Sequence, residues 1–352
     1  MIGITALTYQ LPGRAPVTRA RASERCDGYW YLTHPATDFC LPFESRDAQL
    51  TRERMLPYAP GPESTARLAD AGVRAGDMAV GVASNLRSRL APEAWKRIDV
   101  VLYCYTTTDA AVFSSIPARL QHELDLKTAF PLALTQADCC GFFTALLCAG
   151  AFIAGPSRAR AVLIVAADKW LFPFVRAFGP HCTYGDGAAA VVVESPEALD
   201  SGRALMVDCV EFGMASMSSR PFGSEPVFHN EGWAAEVGGW LSGALAKAGV
   251  RASAIDMVAP PDLNAEFVQA VHRAAGLSGA PLARRDERLS GFASTVDPIV
   301  AVAAAGGGDG ARRVLTWGAG LNGEAGLAVL RMAAGSAARD WHLDQPGGAG
   351  RG

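Results

Sequence analysis

Charge of one sign is not in excess in this sequence. The 32 Lys and Arg residues nearly balance the 35 Asp and Glu residues, the net charge is −3, and no basic run occurs. Nucleic-acid-binding surfaces need clustered basic residues, so this balance excludes nucleic acid as an expected partner. We expect a small molecule or another protein instead.

Long hydrophobic runs are also missing. Half of the 352 residues are hydrophobic, but no window reaches the roughly 18 uninterrupted apolar residues of a membrane-spanning helix. The N-terminal stretch MIGITALTYQLPG lacks the charged start and continuous apolar segment of a secretory signal. The sequence therefore predicts a soluble, cytoplasmic protein with no membrane segment.

Paired metal-ligand spacings are absent too. The eight cysteines form no Cys-x-x-Cys pair of the kind that holds zinc or an iron–sulfur cluster, so we expect no metal site. Most of these thiols lie in apolar stretches, where reduced cysteine packs as a small hydrophobic side chain. The exception is the adjacent pair Cys139 and Cys140, which directly precedes Gly141 and the apolar stretch FFTALLCAGAFIAG.

Apolar runs rich in β-branched residues alternate with Ala-rich helical stretches along the chain. This alternation predicts an α/β fold with buried strands and helices on both faces of the sheet. The clearest predicted strands are residues 97–107, 160–168, 188–194, 255–260 and 312–317.

Several segments of the chain look alike in pairs. Residues 80–102 and 236–259 each show a helix followed by a strand, and residues 183–193 and 316–330 each place a Gly-rich turn before a buried strand. Pairs that recur in the same order, about half a chain apart, indicate an internal duplication.

Polar residues and a proline interrupt the apolar pattern over residues 194–204. We place the boundary between the duplicated halves there, which predicts an N-terminal half over residues 1–198 and a C-terminal half over residues 199–335. Residues 336–352 lose all periodicity and are predicted to form a flexible tail.

The cysteine pair stands at the predicted start of a buried helix. A helix N-terminus stabilises a thiolate, lowers the pKa of the thiol and offers N–H groups to an oxyanion, so a nucleophile there is one interpretation. The other is that both thiols simply fit a tight helix start. Asp138 also has two interpretations: it caps the helix, or its charge raises the pKa of the thiol and orients an acceptor.

Four motifs occur in a family-specific order: ADCCGF, YGDGAAAVVV, AIDMVAP and WGAG. Through them the chain resembles the ketoacyl synthase III family of the thiolase superfamily, over about 320 residues from ITALTYQLPG to GAGLNGEAGLAVLR. The resemblance implies a five-layered αβαβα thiolase fold built from two pseudo-repeats, and a homodimer. It also implies Cys139 as the nucleophile and the turn of Gly318, Ala319 and Gly320 as the backbone that holds an oxyanion.

Two positions depart from the family's pattern. The family condenses with a Cys-His-Asn set, in which His and Asn hold the thioester oxygen of the malonyl unit during decarboxylation. Here PPDLN places Pro261 at the His position, and SGFASTVDP places Phe292 at the Asn position. Neither side chain donates a hydrogen bond, and losing one such donor typically costs about 100-fold in rate or more. We therefore expect no efficient decarboxylative condensation.

The acyl-accepting half of the chemistry is retained. The resemblance implies an acyltransferase of secondary metabolism, such as polyketide biosynthesis, that takes an acyl group from a phosphopantetheine thioester onto Cys139 and passes it to a small-molecule acceptor. The donor is an acyl carrier protein or coenzyme A, and no bound cofactor is expected. The alternative is a non-catalytic subunit that pairs with an active ketosynthase. Condensation with an unusual base and thioester hydrolysis also stay open.

Deacylation needs a proton acceptor, and the His that the family uses is missing. Five residues are candidates for this role, and each also has an ordinary interpretation as a surface or capping residue. They are His229, His181, Asp138, Asp262 and Glu324.

The turn of Gly185, Asp186 and Gly187 has a structural interpretation. Glycine permits tight backbone geometry, and aspartate ties a loop together through hydrogen bonds to the backbone. We therefore expect Asp186 to hold this loop rather than to take part in chemistry.

Overall fold

The structure is a computed structural model of the chain. The described residues are 2–17, 64–107, 114–171, 176–178, 182–195, 197, 204–215, 231–306, 312–320 and 323–332. The candidate bases His181 and His229 lie outside these residues. So do the predicted tail over residues 336–352 and the predicted boundary at residue 198, which both stay predictions.

The described part of the chain forms strands and helices in alternation. The strands are β1 (Ile2–Gln10), β2 (Arg14–Pro16), β3 (Thr65–Arg67), β4 (Ile98–Cys104), β5 (Phe130–Leu134), β6 (Ala161–Asp168), β7 (Ala177–Phe178), β8 (Cys182–Thr183), β9 (Gly187–Glu194), β10 (Leu205–Met214), β11 (Met257–Ala259), β12 (Arg312–Ala319) and β13 (Glu324–Met332). The α-helices are α1 (Ala75–Arg87), α2 (Pro92–Trp95), α3 (Ile116–Glu123), α4 (Gly141–Ala154), α5 (Glu231–Lys247), α6 (Ala265–Ala274) and α7 (Asp297–Ala305). The five strands predicted from the sequence are all present as β4, β6, β9, β11 and β12.

Nine strands form one sheet in the order β11-β12-β13-β10-β1-β9-β6-β4-β5. The two halves of the chain meet where β1 pairs with β10, through three residue pairs that include Ile2 and Val207. In the N-terminal half, β4 is parallel to β5 and β6, and β9 runs antiparallel to β6. In the C-terminal half, β11 is parallel to β12, and β13 runs antiparallel to both β12 and β10.

The same strand order occurs twice. From the sheet edge inward, the five N-terminal strands stand in the order β5-β4-β6-β9-β1. Counted as first to fifth along the chain, this order is third, second, fourth, fifth, first. The C-terminal strands repeat this order, with the third position reduced to an isolated parallel bridge between Val258 and Leu282. This repeat confirms the internal duplication that the paired sequence segments predict.

The three largest apolar cores hold five layers together. Helices α1 and α3 cover the outer face of the N-terminal strands, with Val82 and Leu120 in their core. Helices α4 and α7 lie between the two sets of strands in the central core, and α5 and α6 cover the outer face of the C-terminal strands. The layer order is αβαβα, as the resemblance implies.

Helix α4 is the apolar helix that the sequence predicts behind the cysteine pair. Its residues Phe142, Phe143 and Leu146 are completely buried, and burying each such side chain contributes about 1.5–3 kcal/mol. Both sets of strands pack against this helix, which has almost no polar face, and Leu147 and Ala151 on its remaining side are exposed. This central position fixes its N-terminus deep inside the molecule.

The described residues contain no helix both long and apolar enough to cross a membrane. Within the same residues, no group of three or more His, Cys, Asp and Glu side chains is arranged to hold a metal ion.

Candidate active site

Cys139 lies in a short 3₁₀ turn, Asp138–Cys140, between β5 and α4. Helix α4 has Cys140 as its N-cap, so the cysteine pair stands at the helix N-terminus, as the sequence predicts. The Cys139 side chain is completely buried. Its thiol donates a hydrogen bond to the Ala319 carbonyl oxygen, with 3.1 Å between Sγ and O.

The predicted lowering of the Cys139 pKa is wrong. Hydrogen bonding with the Cys140 thiol and complete burial raise the pKa of the Cys139 thiol well above its ordinary value, and the charges of Asp138 and Asp297 add to this effect. The hydrogen bond with Cys140 and the desolvation of the sulfur both favour the neutral thiol over the thiolate. A nucleophile at Cys139 would therefore need a base to remove its proton.

The Gly318–Gly320 turn lies directly against the nucleophile turn. A β-carbon at Gly318 would stand 3.1 Å from Cys139 Sγ, and one at Gly320 would stand 3.2 Å from Asp138 Cβ. Only glycine permits this approach at both positions. The structure therefore brings this turn against Cys139, and the oxyanion role that the resemblance implies for it stays a prediction.

The amides of this turn are not equivalent. Gly320 N–H donates to the Glu324 carbonyl at 2.9 Å, so the prediction that Gly320 contributes to an oxyanion site is wrong. Hydrogen-bonded and non-hydrogen-bonded residue pairs alternate along an antiparallel ladder. Because Gly320 is hydrogen-bonded to Glu324, the preceding pair of Ala319 and Ala325 is a non-hydrogen-bonded pair. The N–H and C=O of Ala319 therefore project from the edge of β12 that β13 does not cover.

Asp138 does not cap helix α4, contrary to one of the two interpretations of the sequence, because Cys140 occupies the cap position. The Asp138 carboxylate instead accepts a hydrogen bond from the Tyr184 hydroxyl at 2.9 Å and one from the Ser294 hydroxyl at 2.9 Å. Its backbone has a φ of +43°, a conformation that non-glycine residues seldom adopt. This conformation begins the 3₁₀ turn that carries Cys139.

Burial above all, together with the charges of Glu324 and Asp168, raises the pKa of Asp138 to about 6, although the hydrogen bonds from Ser294 and Tyr184 act in the opposite direction. A carboxyl group with such a pKa gains and loses its proton near neutral pH. Asp138 therefore has the titration range that a general base requires.

Glu324 also lies at the site. Its carboxylate is nearly buried, and its Oε2 atom lies 2.5 Å from where a β-carbon of Gly320 would stand. Its charge acts on both Asp138 and Cys140. The structure thus brings two of the five candidate bases, Asp138 and Glu324, to the turn beside Cys139.

Asp262, the third described candidate base, is tied to the loop before α7. Its carboxylate accepts a hydrogen bond from Gly291 N–H, and its own N–H donates to Asp297 at 3.1 Å. Asp297 in turn forms a buried ion pair with Arg285 at 2.8 Å. These contacts give Asp262 a structural role.

Asp186 has the structural role that the sequence predicts. Its carboxylate accepts hydrogen bonds from Ala69 N–H and Trp170 N–H, both at 2.9 Å. It also forms a fully buried ion pair with Arg176 at 2.9 Å. These bonds join three separate segments behind the site.

Three hydroxyl residues of the site were not predicted from the sequence: Tyr184, Ser294 and Thr106. Thr106 Oγ1 lies 2.9 Å from Ser294 Oγ and so extends the network that begins at Asp138. The internal duplication could have indicated Ser294. Residues Ser294–Val296 form a 3₁₀ turn directly before a buried helix, as the nucleophile turn does in the first half of the chain. Thr106 carried no such signal.

No family model matches the sequence. Among curated proteins, β-ketoacyl-[acyl-carrier-protein] synthase III of Phocaeicola vulgatus is 39% identical over 99 residues, which is 28% of this chain and 29% of the relative. The same enzyme of Roseobacter denitrificans is 27% identical over 201 residues, 51% of this chain and 60% of the relative. The chain thus matches less than two thirds of the length of each of these curated relatives.

Solved structures match over nearly the whole chain. The acyltransferase ChlB3 superposes with a TM-score of 0.64 at 21% identity, covering 96% of this chain and 99% of ChlB3. β-Ketoacyl-[acyl-carrier-protein] synthase III of Thermus thermophilus gives 0.63 at 21% identity, covering 93% and 98%. The priming β-ketosynthase of the R1128 polyketide pathway gives 0.62 at 17% identity, covering 95% and 96%. The chain has the thiolase fold.

In this thiolase fold, Phe292 and Pro261 are both buried. The Phe292 ring lies 5.1 Å from the Tyr184 ring, which in turn stacks on Trp170 at 3.7 Å. Phe292 therefore joins an aromatic stack beside Asp138 through the Tyr184 that bonds this carboxylate. A phenyl ring and a proline supply no hydrogen-bond donor at these places.

Proposed function

We propose that the protein is a ketosynthase III-like acyltransferase of secondary metabolism in which Cys139 carries the acyl group. The observation that carries this proposal is the contact of Cys139 Sγ with the Gly318–Gly320 turn, because a nucleophile beside backbone donors is the minimum that acyl transfer needs. Two structural neighbours, the acyltransferase ChlB3 and the R1128 priming β-ketosynthase, support the same chemistry and setting.

The proposed reaction has two steps. In the first, Cys139 Sγ attacks the carbonyl carbon of an acyl-phosphopantetheine thioester, a new C–S bond forms, and the carrier thiol leaves with the proton of Cys139. In the second, the hydroxyl or amine of the acceptor attacks the acyl-enzyme, and its proton returns to the Cys139 sulfur as the C–S bond breaks. The donor is an acyl carrier protein or coenzyme A, and no resident cofactor takes part.

We assign the oxyanion-binding role to the Ala319 amide. Its carbonyl already meets the Cys139 sulfur, and the N–H of a strand residue projects from the same edge as its C=O. The Gly318 position contributes by admitting the sulfur, since any side chain there would displace it.

Decarboxylative condensation is not part of the proposal. Pro261 and Phe292 stand where the resemblance places the His and Asn of the condensing set, and neither can donate to an enolate oxygen. An acyltransferase needs no enolate. Its chemistry therefore tolerates both replacements.

One observation favours the alternative of a non-catalytic subunit that pairs with an active ketosynthase. The Cys139 side chain has no exposed surface and its pKa is raised, which are properties of a structural thiol. An acyltransferase would have to open a path to this sulfur.

Intact-protein mass spectrometry separates the two functions. The pure chain is incubated with a panel of acyl-coenzyme A and acyl-carrier-protein thioesters, beside the variants Cys139→Ala and Cys140→Ala. The acyltransferase predicts a mass gain of one acyl group that Cys139→Ala abolishes and Cys140→Ala retains. A folded chain that gains no mass from any donor would support the non-catalytic subunit.

A further inference from the structure

The two halves of the fold meet at the site through equivalent turns. Asp138 and Ser294 each begin a 3₁₀ turn that leads into a buried helix of the central layer, and each has a positive φ, of +43° and +48°. The residue before each turn is an alanine with nearly the same backbone angles. Ser294 is thus the counterpart of Asp138 in the second half of the duplication.

These equivalent turns are in direct contact. Ser294 Oγ donates to Asp138 Oδ1 at 2.9 Å, and Thr295 Oγ1 donates to the Asp138 carbonyl at 3.3 Å. A β-carbon at Gly141 would lie 2.9 Å from Thr295 Cγ2, so the first residue of α4 must be small for the turns to meet. The second half therefore reaches the nucleophile turn through hydroxyl groups.

We propose that Asp138 is the proton-transfer residue for Cys139, and that Tyr184 and Ser294 are positioning residues that hold its carboxylate in place from outside the nucleophile turn. This inference rests on the acyl transfer proposed above. The Tyr184 hydroxyl bonds Oδ2 while Ser294 bonds Oδ1, so the two donors fix both oxygens of the carboxylate.

Several titratable groups face Asp138 from the surrounding elements. Glu324 lies at the start of β13 and Asp168 at the end of β6, and both disfavour the ionised form of Asp138. The Cys139, Cys140 and Cys182 thiols interact electrostatically with Asp138 and have raised pKa values of their own. These thiols stay neutral near pH 7.

The two hydroxyl donors offset this unfavourable environment. Hydrogen bonds to a carboxylate stabilise its charged form and lower its pKa, and both Tyr184 and Ser294 act in this direction on Asp138. Burial and the Asp138 charge raise the pKa of Tyr184 well above its ordinary value, so it keeps its proton and remains a donor. Without these donors the carboxyl group would ionise only at a higher pH.

Asp138 can accept and return the proton in both steps of the reaction. In acylation, the Asp138 carboxylate takes the proton of the Cys139 thiol as the C–S bond forms, and gives it to the departing carrier thiolate. In deacylation, it takes the proton of the acceptor as the acceptor attacks the acyl carbon, and returns it to the Cys139 thiolate. Asp138 is ionised again after each step.

The test follows the decay of an acetyl-enzyme against pH. The pure chain is acetylated with p-nitrophenyl acetate, excess probe is removed, and loss of the acetyl group from Cys139 is followed by intact mass over acidic to neutral pH. The variants are Tyr184→Phe, Ser294→Ala, Asp138→Asn and Glu324→Gln. The matched control is Tyr103→Phe, because the Tyr103 hydroxyl donates to the Ala167 carbonyl in the core behind α1.

In the wild type the decay rate is expected to rise with pH with a midpoint near 6, as Asp138 ionises. Tyr184→Phe and Ser294→Ala are each expected to move this midpoint upward by about one pH unit or more, because each removes a hydrogen bond to a charged group. Asp138→Asn is expected to abolish this pH dependence and slow decay about 100-fold or more. Tyr103→Phe should keep the rate and the midpoint of the wild type. Glu324→Gln should keep the pH dependence but move its midpoint downward, because it removes a charge that raises the pKa of Asp138.

An unchanged midpoint in folded Tyr184→Phe and Ser294→Ala would overturn the positioning roles. If Glu324→Gln, and not Asp138→Asn, abolished the pH dependence, Asp138 would be excluded as the proton-transfer residue. A wild-type chain that forms no acetyl-Cys139 would overturn the proposed function together with this inference, whereas an acetyl-enzyme with unmoved midpoints would overturn this inference alone. If Ser294→Ala fails to fold, Tyr184→Phe decides the test.

Discussion

At the scale of single residues, Gly318 should be the position at which the smallest addition has the largest effect on chemistry. An alanine β-carbon there would stand 3.1 Å from Cys139 Sγ and 3.2 Å from the Phe143 ring, closer than ordinary contacts. Overpacking of this kind costs about 1–3 kcal/mol, so we expect Gly318→Ala to slow acylation of Cys139 by about 5- to 100-fold. The measurement is the rate of acyl-enzyme formation by quenched intact mass.

Gly150→Ala is the matched control for this substitution. Gly150 lies in α4 behind Cys139, and a β-carbon there would meet no atom within 4 Å. Alanine should stabilise the helix by about 0.5–1 kcal/mol and leave acylation unchanged. Equal acylation rates in Gly318→Ala and the wild type would show that the sulfur does not need this approach to the turn.

The Asp138 carboxyl group should make stability depend on pH. Its pKa rises from an ordinary 3.8 to about 6 on folding, so the folded state binds the proton more tightly than the unfolded state does. Stability is therefore lost as pH rises through this window, and the full cost above pH 6 is about 3 kcal/mol. Asp138→Asn removes this titration. The free energy of unfolding of the variant, minus that of the wild type, should therefore increase between pH 4 and 7.

The measurement is chemical denaturation of both proteins at several pH values. The difference between the two unfolding free energies isolates Asp138, because Asp168, Asp297 and the other carboxyl groups titrate in both chains. A difference that stays constant with pH would show that Asp138 is not perturbed by burial.

The sequence could reveal some residues of the site and not others. The difference depends on how far apart the contacting residues lie in the chain. Cys139 and Glu324 stand inside or beside short motifs, so the local pattern was enough to select them. The bonds of Asp138 to Tyr184 and Ser294 span 46 and 156 residues. No local pattern contains such a pairing, and the pKa of Cys139 depends on the burial that these long-range contacts create.

At the scale of secondary-structure elements, the crossing of α5 and α6 should depend on one glycine. A β-carbon at Gly238 would stand 2.4 Å from Ala274 Cβ and 2.7 Å from the Val271 carbonyl oxygen. These atoms cannot rotate away, so helices α5 and α6 would have to move apart. We expect Gly238→Ala to destabilise the protein by about 1–3 kcal/mol or more. The measurement is the free energy of unfolding in denaturant.

The neighbouring Gly239 supplies the control. A β-carbon there would meet no atom within 4 Å, so Gly239→Ala should gain about 0.5–1 kcal/mol from the better helix propensity of alanine. If both variants had the same stability, the helices would not be packed as closely at Gly238 as the structure has them.

Element boundaries were predicted more closely from the sequence than backbone angles or pKa directions. The strands were predicted to within a few residues because continuous apolar runs mark them. The sequence also placed the cysteine pair correctly at the start of α4, but neither Asp nor Cys signals the φ of +43° with which Asp138 begins the 3₁₀ turn. The pKa direction for Cys139 was wrong because its thiol is hydrogen-bonded with the Cys140 thiol and is completely buried.

At the scale of the whole molecule, the duplication was the feature that the sequence predicted best. Two pairs of similar segments were enough, because each half must build the same strand order around a shared central layer. The pairing of β1 with β10, which joins the halves into one sheet, involves only three residue pairs and left no mark in the sequence pattern.

The homodimer implied by the resemblance is the last prediction, and the outer edge of β5 is where we expect it to form. In the described part of the chain, β5 ends the sheet, and its Phe130 is 54% exposed while packing against Phe152 of α4. Leu147, also on α4, is 42% exposed. An unpaired strand edge beside exposed apolar side chains favours pairing with another chain.

Light scattering coupled to gel filtration measures the mass of the wild type and two variants. Phe130→Glu places a charge on the β5 edge, so it should convert the dimer to a monomer. Leu282→Glu is the control, because Leu282 is similarly exposed at 41% but lies beside β11 at the opposite end of the sheet. A dimer that survives Phe130→Glu and dissociates with Leu282→Glu would place the interface at the other edge, and a monomeric wild type would contradict the homodimer itself.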